Sequence, residues 1–157
     1  EEMDWWQSTQ RGRWKITCLP MQHWSNRIWM SRNGSLWCGW LVESDERKYF
    51  FGGDSGYFHG FKEYGKKFGP IDVAMLPIGA YEPRWFMRYA HMNPEEAYRA
   101  FRELGAKWMF PMHWGTFDLT DEPVDRPPVE LRREVARLGG NMDKIRLMAV
   151  GERWSLG

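Results

Sequence analysis

The 157-residue sequence has almost no charge of one sign to spare: 22 basic residues face 21 acidic ones, a net +1. That balance supplies no bulk field for steering onto nucleic acid or an anionic membrane, so no nucleic-acid partner is expected. Cysteine is scarce as well. Cys18 and Cys38 sit in a chain long enough to bury a core without staples, which excludes any need for a disulfide framework and makes reduced, packed thiols the expectation. No apolar run approaches the roughly 20 residues of a membrane span. The best, Val73–Ala80, contains Pro77, and no charged-then-apolar leader is expected ahead of Glu1. A soluble chain with no transmembrane segment, cytoplasmic or peripheral to a membrane, is therefore expected. Internal repeats, low-complexity stretches and linkers are missing too, and the length suits one domain or a large piece of one.

What is plentiful is aromatic surface: eleven Trp, nine Phe and six Tyr, with ten Met beside them. So much large apolar area in a short chain calls for something greasy to cover, a substrate or another piece of protein. Arg13–Leu19 and Ser35–Val42 are rich in aromatic and β-branched residues and are separated by Asn33-Gly34, which predicts two strands, with Lys48–Phe51 a third. A helix is predicted near Gly60–Phe68, ended by Gly69-Pro70, and Val73–Leu76 reads as a strand buried on both faces. Pro94–Leu104 has Asn93 as N-cap, proline at its first position, Glu95 and Glu96 in its first turn and Gly105 past its end, a fully specified helix. Trp108–Met112 reads as a strand, Pro128–Leu138 as a helix closed by Gly139-Gly140, and Ile145–Val150 as a last strand. Alternation of this kind predicts an α/β fold, helices packed on a sheet.

Three of the four places where chemistry concentrates are ends of predicted strands. His23 follows the first, Asp54 follows the third within Gly52-Gly53-Asp54-Ser55-Gly56, and His113 follows Trp108–Met112. Ligands of a catalytic metal sit at such junctions, where a rigid sheet aims side chains into a shared cleft. Asp between glycines serves turns more often than metals, and a His-Trp pair is more often packing, so spacing by itself leaves both readings open. His59 reads as surface. The fourth place is the long loop Pro77–Met92, in which Trp85, Phe86, Met87 and Tyr89 make an apolar lip beside Arg84 and Arg88. That pairing suits an anionic head attached to acyl chains; a loop closing over the core would carry the same aromatic residues.

Read as strings, Asp4-Trp5-Trp6, Met21-Gln22-His23-Trp24, Gly53-Asp54-Ser55-Gly56-Tyr57, the run from Pro77 to Met87, His91-Met92-Asn93-Pro94-Glu95-Glu96-Ala97 and His113-Trp114-Gly115-Thr116-Phe117 resemble the C-terminal half of the N-acylphosphatidylethanolamine-hydrolysing phospholipases D and their bacterial relatives, within the metallo-β-lactamase fold superfamily. The resemblance covers nearly the whole chain, in order. It implies half of an αβ/βα sandwich, a mixed sheet with helices packed on it. It also implies a two-metal, usually zinc, centre with Asp54 bridging the ions, His23 on the first and His113 on the second. In that family a metal-activated water attacks a lipid-like phosphodiester, His91 matches a histidine assisting proton transfer, and Tyr81, Arg84, Trp85, Phe86 and Tyr89 would line the substrate groove.

The departure is equally plain. The family's His-x-His-x-Asp-His motif is absent, and no two histidines here are even two residues apart. With His23, Asp54 and His113 alone, one zinc or none is expected, and the whole of residues 1–157 reads as a single partial domain lacking its N-terminal half. A missing layer would leave an aromatic face and a strand edge uncovered, which predicts a homo-oligomer or pairing with a chain that supplies it. Two functions follow: a metal-dependent phosphodiesterase, incomplete and inactive as the isolated chain, or a non-catalytic half-domain that self-associates.

Overall fold

The computed structural model describes residues 1–26 and 32–156. One six-stranded sheet organises them, with strands β1 (Ser8–Arg11), β2 (Trp14–Pro20), β3 (Cys38–Glu43), β4 (Lys48–Phe51), β5 (Ile71–Pro77) and β6 (Ala106–Met112) lying side by side in chain order. β1 to β4 pair antiparallel, and β4, β5 and β6 pair parallel. Parallel neighbours require crossovers. The first carries α1 (Gly60–Phe68), and the second carries the single turn α2 (Arg84–Met87) and then α3 (Pro94–Leu104). The mixed α/β sheet expected from the sequence is therefore present.

α3 forms as its sequence dictates. The Asn93 side chain accepts from Glu96 N–H at 2.9 Å, the Glu96 carboxylate accepts from Asn93 N–H at 3.1 Å, and Gly105 closes the helix at φ +62°. α4 (Arg126–Arg137) begins two residues earlier than predicted, with Pro127 and Pro128 in its first turn, where proline's missing N–H costs nothing.

Alternation along the strands sorts the sheet into two faces. On one, the cross-sheet row Thr17, Leu41, Phe50, Ala74, Met109 is buried against Phe61, Tyr64, Ala97, Phe101, Leu104 and Leu131 of the helices, and this is the core. On the other, two continuous apolar rows run across five strands: Ile16, Val42, Tyr49, Val73, Trp108 and Cys18, Trp40, Phe51, Met75, Phe110. No helix packs there among the described residues. Most of these side chains stay half exposed and Phe51 is 40% exposed, so the uncovered aromatic face anticipated from the sequence is a feature of the fold.

One expectation needs correction. Ile145–Val150 is not a strand: Ile145 makes one bridge to Met109, Arg146 N–H donates to Met109 C=O at 2.8 Å, and the chain then turns away. The turn is closed by Glu152, whose N–H donates to Ala149 C=O and whose carboxylate accepts from Ala149 N–H. It delivers Trp154 edge-on to Trp108 and Phe110 at 5.1 and 5.3 Å, while Arg146 lies over Trp108. Asn33-Gly34 falls between β2 and β3 as expected, with Asn33 in a turn at a left-handed φ of +61°, within a connection that runs from 21 to 37. β1 was not expected, because its polar Ser-Thr-Gln-Arg lacks the alternation of a half-buried strand; it is an edge, paired to β2 through the Gly12-Arg13 turn.

Candidate metal centre

Antiparallel pairing of β2 with β3 and of β3 with β4 makes β2 run the same way as β4, β5 and β6, so the chain leaves all four strands at one edge of the sheet. His23 follows β2, Asp54 follows β4, His91 closes the β5–α3 loop and His113 follows β6. They meet. The His91 ring lies between the other two imidazoles, 5.3 Å from His23 and 5.4 Å from His113 between centroids, and His113 Nε2 stands 3.6 Å from Asp54 Oδ1. His59, on the exposed start of α1 beside Glu63, belongs to the surface.

The imidazoles are left with unused nitrogens. His23 Nε2, His91 Nδ1 and His113 Nε2 are buried atoms without a hydrogen-bond partner. A buried polar atom left so costs about 1–3 kcal/mol, which marks a place made for another group. His23 Nδ1 lies 2.7 Å from the Trp24 carbonyl, which can only accept; Nδ1 therefore carries a proton, and Nε2 is the nitrogen left for a ligand. Burial, reinforced by His113 nearby, pushes His91 down to about 4, so the His91 ring is neutral at neutral pH. His113 holds a φ of +61°, and so does Ala80 on the facing loop. The two loops touch backbone to backbone at Gly79, where a Cβ would come within 2.1 Å of His113 O.

Imidazole nitrogens with a carboxylate are the donor set of zinc and similar divalent ions, so the residues fit such a group in kind and in place. In number they fall short: among the described residues no three His, Cys, Asp or Glu side chains are drawn together tightly enough to close around an ion.

The β5–α3 loop divides into props and lip. Tyr81 is 1% exposed, its hydroxyl donating to Glu130 at 2.6 Å and its N–H to Glu122, so it underpins the loop and is corrected from a groove residue to an interior one. Burial raises the Tyr81 phenol, and its bond to Glu130 raises it further. Arg84 is likewise committed, to Glu96 at 2.7 Å, to the His91 carbonyl at 3.0 Å and to the Tyr81 carbonyl at 3.4 Å. Trp85, Phe86 and Tyr89, in contrast, are 82, 66 and 58% exposed. Phe86 and Tyr89 line a groove of about 590 Å³ whose walls also include His23, Trp24, Trp37 and His91, while Trp85 packs against Phe86 at 5.7 Å between ring centroids. A smaller cavity of about 190 Å³ lies on the far side of His113, between Ala80, Trp114, Phe117 and Glu122. Glu122 was not singled out by the sequence. Burial pushes its carboxyl up, but N–H groups of Glu82 and Tyr81 and the Thr120 hydroxyl outweigh that and hold it below its ordinary range.

Comparison with known proteins agrees with this architecture. Residues 1–114 match a family described as the beta-lactamase superfamily domain. The N-acyl-phosphatidylethanolamine-hydrolyzing phospholipase D 1 of Caenorhabditis elegans is 42% identical over 98% of this chain and 45% of its own length. The mitochondrial enzyme of the same description from Saccharomyces cerevisiae is 32% identical over 96% of this chain and 34% of its own. The chain thus spans about a third to a half of these curated relatives. Among solved structures, an isothiocyanate hydrolase from Delia radicum gut bacteria superposes with a TM-score of 0.72 at 20% identity, covering 95% of this chain and 57% of that one. The metallo hydrolase Igni18 of Ignicoccus hospitalis gives 0.71 at 24% identity, covering 96% and 57%. At such identities these two speak for the fold alone. With one sheet edge gathering three orphaned imidazoles and a carboxylate, and a family match over residues 1–114, the chain belongs to the metallo-β-lactamase superfamily.

Proposed function

We propose that this chain carries part of the active centre of a zinc-dependent phosphodiesterase acting on an N-acylphosphatidylethanolamine-like lipid. The observation that carries the reading is the gathering of His23, His91, His113 and Asp54 at one edge, three ring nitrogens unpartnered, beside an aromatic groove. The relatives' names supply the substrate class. His23, Asp54 and His113 would hold the metal. Bound there, a divalent ion neutralises charge on phosphoryl oxygens and acidifies water. His91, kept neutral, can accept a proton beside them. The groove walls exclude water from the acyl chains, and exposed Phe86 and Tyr89 on the groove, with Trp85 packed against Phe86, suit a lipid's apolar part.

Donors among the described residues are too few for two ions, so the isolated chain is expected to hydrolyse nothing measurable. A hybrid tests this: the chain replaces the matching stretch of the C. elegans phospholipase D, and zinc content and phosphatidic acid released from N-acylphosphatidylethanolamine vesicles are measured. Zinc-dependent release that disappears with His113→Ala supports the reading. A folded, zinc-loaded hybrid without release overturns the substrate class, and one that binds no zinc overturns the centre.

The two apolar rows on the second face favour another reading, a half-domain that pairs through that face without catalysis. It predicts a metal-free, inactive, stable oligomer.

A further inference from the structure

Three of the four loops at this edge are tied together by two polar residues, Gln22 and Ser55, whose side chains bond to backbone groups of the loops. Ser55, wholly buried, accepts from Gln22 N–H at 3.0 Å through its Oγ, donates the same hydroxyl to Gly56 C=O at 2.8 Å, and accepts from Met92 N–H at 3.0 Å through its carbonyl. Gln22 C=O accepts from Gly56 N–H at 2.8 Å, and the Gln22 amide donates to Tyr89 C=O at 2.9 Å and Tyr57 C=O at 3.3 Å. Each partner adjoins a functional residue: Gln22 precedes His23, Ser55 follows Asp54, and Met92 follows His91. The approach is so close at Gly56 that a Cβ would stand 2.0 Å from Tyr89 O and 2.8 Å from the Gln22 amide nitrogen.

Backbone groups of three loops could reach water if the loops stood apart. Here they are satisfied by one hydroxyl, one amide and one another, so no single loop can shift without leaving a buried partner unpaired. The geometry points to Gln22 and Ser55 as positioning residues that fix the His23, Asp54 and His91 loops relative to one another and so set the spacing of the metal donors. This rests on the metal-centre reading above. Groups one step behind metal ligands are worth about 10–100-fold in metal affinity.

Two readouts separate this role from general stability. Cobalt(II) titration of the full chain, followed by visible absorption, reports donor geometry; aromatic ¹H–¹³C spectra of the metal-free chain report the imidazole rings without any ion. Gln22→Met and Ser55→Ala are expected to weaken cobalt binding about tenfold or more and to shift the His23 and His91 ring resonances, leaving His59 in place. Asp72→Asn is the control. It weakens the pairing of buried Asp72 with half-exposed Lys107 at the start of β5, the opposite edge, and should lower the melting temperature without moving either readout. Unmoved rings, equal weakening by Asp72→Asn, or failure of both variants to fold would overturn the proposal. A wild-type chain that takes no cobalt overturns the metal centre, and the ring resonances then still decide whether the clasp positions the histidines.

Discussion

Replacing Arg84 by methionine separates a groove cation from a structural tie. The guanidinium lies 2.7 Å from Glu96, with both side chains 27% exposed, and it donates to the carbonyls of His91 and Tyr81. Methionine keeps the stem and removes all donors. One charge-assisted hydrogen bond in a half-buried setting contributes about 1.5–3 kcal/mol, and Glu96 retains its bond from Asn93 N–H, so it is not left bare. The carbonyl of His91 loses a partner at a half-buried site. Together these give about 2–3 kcal/mol, which for a domain of this size lowers Tm by roughly 5–10 °C. Arg84→Lys should recover less than half, because an ammonium cannot reach three acceptors as a planar fork does. Circular-dichroism melts and urea titrations read the change. A variant with unaltered Tm and weakened binding to anionic vesicles would refute the reasoning and return Arg84 to the lipid.

Asp72, where burial raises the carboxyl but Lys107, Lys48 N–H and Arg47 outweigh it, ends below its ordinary 3.8. A depressed folded value stabilises above the unfolded one and is lost as pH falls, so wild type should exceed Asp72→Asn in urea stability at pH 7, with the gap closing from about pH 4 downward. The apolar rows should drive self-association burying well over about 1,000 Å². Light scattering at tens of micromolar should show a dimer or larger, dispersed by Trp40→Lys; a monodisperse wild-type monomer contradicts this. Burial, together with Cys38 nearby, pushes the Cys18 thiol up to about 12, so a thiol reagent at pH 8 should label Cys38 first and Cys18 only on unfolding.

How much of this the sequence revealed follows the range of the forces involved. α3 was legible to the residue because Asn93, Pro94, Glu96 and Gly105 act within one or two turns. β5 was legible because a strand covered on its helix face and flanked on both sides reads as an apolar run. His23, Asp54 and His113 could be placed at strand ends, and strand direction then brought them to one edge. Tyr81 and Arg84 could not be assigned, since their partners Glu130 and Glu96 lie 49 and 12 residues away. The Gln22–Ser55 bond spans 33 residues and Gln22–Tyr89 spans 67, separations at which no periodic pattern survives. Ile145–Val150 failed for a related reason: its β-like composition was overridden by the stacking of Arg146 and Trp154 on Trp108.

The switch from antiparallel to parallel pairing at β4 also divides the sheet into two parts. β1 to β4 form an antiparallel meander in chain order. β5 and β6 reach their places only through helical crossovers, and the two parts share a ladder of three residue pairs between β4 and β5. His23 belongs to the antiparallel part, Asp54 to the seam, and His91 and His113 to the parallel part. The edge that gathers them is therefore complete only while the two parts are joined. Any ion held across it acts as a latch on that seam, stabilising the joined state by RT ln(1 + [L]/Kd).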